Sequence, residues 1–124
     1  MIKLRVGMLA LAPLVLALLA HPARADVIDG DWCSSDGKHF SIAGPEIVTP
    51  GGTRMKGDYT RHSFVYVIPE KEANAGQTVL MILLNEETVA LRRGADRAAA
   101  AQAKEQIWRR CAPIAALPPP WAAG

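Results

Sequence analysis

The sequence predicts a mainly β protein, a small antiparallel meander or barrel carrying one C-terminal α-helix and one disulfide. Three observations predict it. Short runs rich in β-branched and aromatic residues recur between turn signals at Asp36-Gly37, Gly44-Pro45, Pro50-Gly51-Gly52 and Asn85-Glu86-Glu87. A breaker-free, alanine-rich pattern begins only after Gly94. Two cysteines, Cys33 and Cys111, stand near the two ends of this stretch.

The chain opens on a different kind of segment. Lys3 and Arg5 precede an uncharged run, Val6 to Ala20, rich in Leu and Ala, and Ala23-Arg24-Ala25 follows with small residues where a signal peptidase reads. Residues 1–25 therefore read as a secretory signal peptide, cleaved before Asp26. The run is 15 residues long, short for a hydrocarbon core of ~30 Å. Pro13 inside it and the small-x-small site also argue against a permanent anchor. No small-residue lipid box precedes Cys33, so a lipoprotein signal is not indicated. The expected destination is the periplasm or the exterior, with no stable membrane insertion after cleavage.

Removing residues 1–25 takes away Lys3, Arg5 and Arg24 and no acid. The remaining 99 residues carry 11 basic and 12 acidic side chains, a formal charge of −1. The basic balance of the whole chain belongs to the leader and does not argue for nucleic-acid binding. Ninety-nine residues suit one domain. Residues 26–112 are expected to form it, and 113–124 a Pro-rich tail containing Pro118-Pro119-Pro120-Trp121. In an oxidising compartment Cys33 and Cys111 should pair, closing 78 residues of chain.

The expected elements run as follows. Asp26 to Ser35 leads into a first strand, and Asp36-Gly37 signals a two-residue hairpin. In the simplest register Cys33 faces Phe40 and Asp31 faces Ile42. That puts Cys33, Phe40 and Ile42 on the core face, with Trp32, Ser34, His39 and Ser41 on the other. Glu46–Thr49 and Thr53–Tyr59 are short strands, with Gly57 a candidate bulge. Ser63–Ile68 is the clearest strand. Thr78–Leu84 is almost wholly apolar and should be covered on both faces. Thr88–Arg92 pairs back. Asp96 then caps a helix over Arg97–Arg110, whose Ala99, Ala103, Ile107 and Cys111 face packs on the sheet and delivers Cys111 to Cys33.

Candidate chemistry is sparse. His39 and His62, with Asp58, Tyr59 and Arg61, are the polar side chains that could act together, and Trp32 could offer an apolar contact. An Asp58–His62 pair could do general acid–base work if the chain bends sharply between Tyr59 and His62. No G-x-S-x-G elbow marks a nucleophile. No metal-ligand spacing is present, and Gly51-Gly52 lacks the ending of a phosphate loop. No cofactor is expected.

Gly30-Asp31-Trp32 resembles the G-x-W that opens the first strand of lipocalins, where a late arginine packs over the tryptophan. Arg109 or Arg110 would be that partner. The resemblance covers these residues alone; the chain after its leader is shorter than a lipocalin and lacks the family's other motifs. Gly57-Asp58-Tyr59-Thr60-Arg61-His62, with Tyr66-Val67-Ile68-Pro69, resembles a signature of small exported alphaproteobacterial proteins of unknown function, which implies no activity. The expected function is a non-enzymatic periplasmic or secreted binding or interaction module, using Trp32, His39, Asp58, Tyr59, Arg61 and His62. Its partner would be a small molecule or an envelope protein. The alternative is a small hydrolase-like enzyme using His62 and Asp58.

Overall fold

A computed structural model describes residues 27–112. The signal-peptide reading of 1–25, Asp26 and the tail from Pro113 lie outside the described residues. The chain forms β1 (Gly30–Cys33), β2 (His39–Ala43), β3 (Glu46–Val48), β4 (Arg54–Lys56), β5 (Asp58–Thr60), β6 (Ser63–Val67), β7 (Thr78–Asn85), β8 (Thr88–Gly94), α1 (Arg97–Gln102) and β9 (Gln106–Arg110). The strands make one antiparallel sheet in the order β4-β3-β2-β1-β9-β8-β7-β6-β5. Its two outermost strands, β4 and β5, are separated in sequence by Gly57 alone. The sheet thus curls back on itself as a nearly closed up-and-down barrel, sealed by the β1–β9 ladder and the Cys33–Cys111 disulfide.

Alternation along each strand builds the interior. Trp32, Phe40, Ile47, Phe64, Met81, Val89 and Trp108 point inward and are buried. Burial of each such side chain contributes about 1.5–3 kcal/mol. Phe40 and Trp108 meet with ring centroids 4.9 Å apart. Gly57 sits where the chain passes from β4, paired with β3, to β5, paired with β6. Its N–H donates to Pro45 O at 2.9 Å. A Cβ there would come within 2.5 Å of both the Phe64 ring and Val65 O, so only glycine permits this passage.

The structure corrects three expectations. The first hairpin has a three-residue loop, Ser35-Asp36-Gly37. Ser34 N–H donates to Lys38 O at 2.9 Å, Gly37 N–H donates to Ser34 O at 3.2 Å, and Gly37 takes φ +85°. This is a turn closed by a left-handed glycine. The extra loop residue shifts the register by one, pairing Trp32 with Phe40 and Cys33 with His39. A one-residue shift exchanges the faces: Trp32 is in the core, and Cys33 lies on the outer face.

The C-terminal helix is six residues long, not fourteen. Asp96 caps it, accepting from Ala99 N–H at 2.8 Å. It ends at Ala103, and Gln106–Arg110 is a strand between β8 and β1. Helix propensity loses here to the ladder that closes the barrel. The predicted buried stripe of Ala99, Ala103, Ile107 and Cys111 does not exist: Ala100 is the buried helix residue, and Ile107 is exposed. Finally, β7 is covered on its inner face but only partly outside, where Ile82 and Leu84 are exposed.

Candidate functional site: the open end of the barrel

One end of the barrel is sealed by the residues preceding β1. Ile28 N–H donates to Arg61 O at 2.7 Å, and Trp32 Nε1 donates to Ile28 O at 2.8 Å. The Asp29 carboxylate accepts from Gly44 N–H at 2.8 Å and from the Tyr59 hydroxyl. Arg110 lies over the Trp32 ring, 4.2 Å from its centroid, and donates to the carbonyls of Val27, Asp29 and Glu86. These bonds satisfy backbone groups that a barrel end would otherwise leave exposed.

The other end is open. Tyr66, Val79 and Arg93 form one cross-strand row over β6, β7 and β8, and Leu91, Gln106 and Trp108 complete the wall. The segment from Ile68 to Gln77 and the turn at Pro50-Gly51 rim a cleft of about 390 Å³. Glu72 ties these two rims together, accepting from the Thr49 hydroxyl at 2.6 Å and from Gly51 N–H at 3.1 Å. Lys38 and Lys71 stand at the mouth.

Two features of this cleft bear on ligands. Tyr66 is 6% exposed, and its hydroxyl has no hydrogen-bond partner among the described residues. That oxygen is not sealed from the cleft, since among the described residues no fully enclosed side-chain polar atom lacks a partner. Burial, reinforced by the nearby Glu72 charge and opposed by Arg93, pushes the phenol up to about 12, so Tyr66 stays a neutral donor near neutral pH. Arg93 forms no ion pair or hydrogen bond among the described residues. Its neighbour Arg92 points outward and pairs with Glu105 at 2.8 Å.

The residues singled out from sequence do not gather in one place. Trp32 is fully buried and offers no surface. His39 lies on the outer face with Asp31 and Ser41. Its Nε2 is 3.3 Å from the Ser41 hydroxyl and 3.6 Å from Asp31. One ring nitrogen facing both partners is not the arrangement of a relay, in which the two nitrogens serve different partners. Asp58 bonds Arg97 at 2.8 Å. Tyr59 is held by Asp29, a hydrogen bond that raises its phenol pKa together with burial. Arg61 and His62 form the exposed turn between β5 and β6. Among the described residues no cluster of three or more His, Cys, Asp or Glu side chains is placed to hold a metal ion.

A second depression, of about 400 Å³, opens between β4 and β6. The β5–β6 ladder stops at Asp58 and Val65. Lys56 and Val67, next in that register, do not pair, and Val67 is 52% exposed. Arg93, Tyr66 and Trp108 were not among the candidate site residues read from the sequence. The usable signal was Val89-x-Leu91-x-Arg93, an inward stripe ending in a cation. Trp108 was hidden by the helix reading. Comparison of the chain with protein-family models, curated proteins and solved structures finds no match.

Proposed function

We propose that this chain is an exported, non-enzymatic binding protein that takes a small molecule in the open end of its barrel. The cleft at that end carries the reading: it is concave, with Tyr66, Ile68, Val79, Leu91 and Trp108 as a buried apolar and aromatic wall and with Lys38, Lys71, Glu72, Asn74, Arg93 and Gln106 as polar lining, a combination that small-molecule sites use. A barrel sealed at one end and open at the other presents a ligand without catalytic groups. Export is supported by the leader-like residues 1–25 and by the Cys33–Cys111 disulfide, a bond that persists in oxidising compartments. The Trp32–Arg110 stack supports a calycin-like reading of the barrel. The hydrolase alternative has less support, because Asp58 is engaged with Arg97 and His62 does not line the cleft.

A test is amide chemical-shift mapping on the full disulfide-bonded domain against a fragment library. Hits should perturb Tyr66, Leu91, Arg93 and Trp108. Hits confined to the Asp58–His62 turn, with ester or amide turnover lost in His62→Ala, would replace this reading by the hydrolase.

A further inference from the structure

We infer that the ligand of the open end is a small organic anion, a carboxylate or similar oxyanion on a flat apolar body, with Arg93 and the Tyr66 hydroxyl holding the head group. The inference rests on the binding reading above and adds the chemistry of the ligand. Tyr66, Val79 and Arg93 are consecutive partners across three strands. A donor and a cation therefore flank one apolar residue on the same inner row, roughly 10 Å apart at the usual strand spacing. A head group seated over Val79 lies between them. The Tyr66 hydroxyl is reachable from the cleft and has no partner among the described residues, so it can donate to an acceptor that enters there. Arg93, exposed at the end of this row and without an ion pair among the described residues, can grip an anion there through two parallel N–H donors.

The other charges agree. Lys71 stands at the mouth with no ion pair among the described residues. Lys38 is held at 3.7 Å by Asp36. The acid of the cleft, Glu72, directs both carboxylate oxygens to the opposite rim rather than to Arg93 or Lys71. Lys38, Lys71 and Arg93 outnumber Glu72 among the charges that line the cleft, although at the Tyr66 hydroxyl itself Glu72 acts more strongly than Arg93. Below the row, Leu91 and the Trp108 ring offer an apolar wall. Trp108 Nε1 is already bonded to Gln106 Oε1 at 3.1 Å, so the indole presents carbon surface. An inorganic anion would leave this wall unused, and a neutral apolar molecule would leave Arg93 unanswered.

The experiment compares two probes of one shape, naphthalene-2-carboxylate and naphthalene-2-carboxamide, by calorimetry and amide shift mapping on the disulfide-bonded domain. The carboxylate should bind at the open end at least tenfold more tightly than the amide. Arg93→Gln should remove that difference and Tyr66→Phe should narrow it several-fold, both variants keeping the wild-type melting temperature within a few degrees. Arg92→Gln, on the outer face, should change nothing. Equal binding of both probes, insensitive to Arg93→Gln, would overturn the anion inference while the cleft reading stands. Absence of either probe from the open end, in wild type and variants alike, would sink both.

Discussion

Arg110, near the end of the described chain, stacks on Trp32, near its beginning, with 4.2 Å between the guanidinium carbon and the ring centroid. The contact joins β9 to β1 where the barrel closes. Gly30 makes room for it: a Cβ at that position would stand 2.6 Å from Arg110 Nη1, and the residue has φ +123°. Arg110→Ala should therefore destabilise the domain by about 2–4 kcal/mol, from loss of the cation–π contact and of charged hydrogen bonds to the part-buried carbonyls of Val27 and Asp29 and the exposed one of Glu86. Arg110→Lys should recover little, because an ammonium cannot span three acceptors and the ring. Urea denaturation of the two variants measures this. A loss under about 0.5 kcal/mol in Arg110→Ala would show that the end is held by other groups.

The disulfide acts on the same closure from outside. Cys33 and Cys111 are 78 residues apart in sequence and flank the β1–β9 pairing. Loop-closure entropy puts the bond's contribution at about 4–5 kcal/mol, comparable to the whole stability of a small domain. Cys33→Ser with Cys111→Ser should lower the urea midpoint sharply and expose β9 amides to exchange before those of β6 and β7. Uniform loss of protection across all strands would show that β9 does not separate first.

The short helix gives a test by position. Ala100 is fully buried against the outer face of β8, and Gly94 meets it so closely that a Cβ would stand 2.5 Å from Ala100 N. Ala98, two residues earlier, is exposed. Ala100→Asp should cost several kcal/mol or force the carboxyl to stay protonated, whereas Ala98→Asp should cost within about 0.5 kcal/mol. Similar melting temperatures for the two would mean that α1 does not pack by this face.

The β character, most strand positions and the disulfide were legible because β-branched runs, turn residues and paired cysteines are local signals. Two misreadings share a cause. At Asp36-Gly37 the dipeptide marks a turn, but loop length decides register, and the choice between two and three loop residues depends on which face of β1 the core takes. Trp32 against Cys33 settled it, since burying the indole removes far more apolar surface. At Gln106–Arg110 alanine-rich context suggested helix, yet Gln106, Trp108 and Arg110 alternate with Ile107 and Arg109 as a strand does. The cleft was hidden because its parts come from four strands whose registers are set by the whole barrel.

Gly57 carries the seam between β4 and β5, so Gly57→Ala should be strongly destabilising. The added methyl meets the Phe64 ring and Val65 O, and neither can withdraw without opening the β5–β6 ladder. The same seam explains an expected exchange pattern. Lys56 and Val67 amides should exchange faster than those of Val65 and Leu80, which lie in complete ladders. Slow exchange at Val67 would show that the gap is closed in solution.

Tyr66 ties the site to stability through pH. Its phenol is raised from the ordinary 10 to about 12, chiefly by burial. The unfolded chain releases this proton near pH 10, whereas the folded chain keeps it to about pH 12. Over that window the native state binds more protons, so stability falls as pH rises. The contribution is complete below pH 10 and is lost as pH passes through about 12. Two units correspond to roughly 2–3 kcal/mol. Tyr66→Phe should leave stability at neutral pH nearly unchanged, because the hydroxyl has no partner among the described residues to lose, and should flatten its decline between pH 10 and 12. Spectroscopic titration of the phenolate should give an ionisation near pH 12 that vanishes in Tyr66→Phe. Ionisation of Tyr66 near pH 10 in the folded protein would mean that the cleft admits water freely to the phenol, and the donor proposed to hold a ligand would then be an ordinary surface hydroxyl.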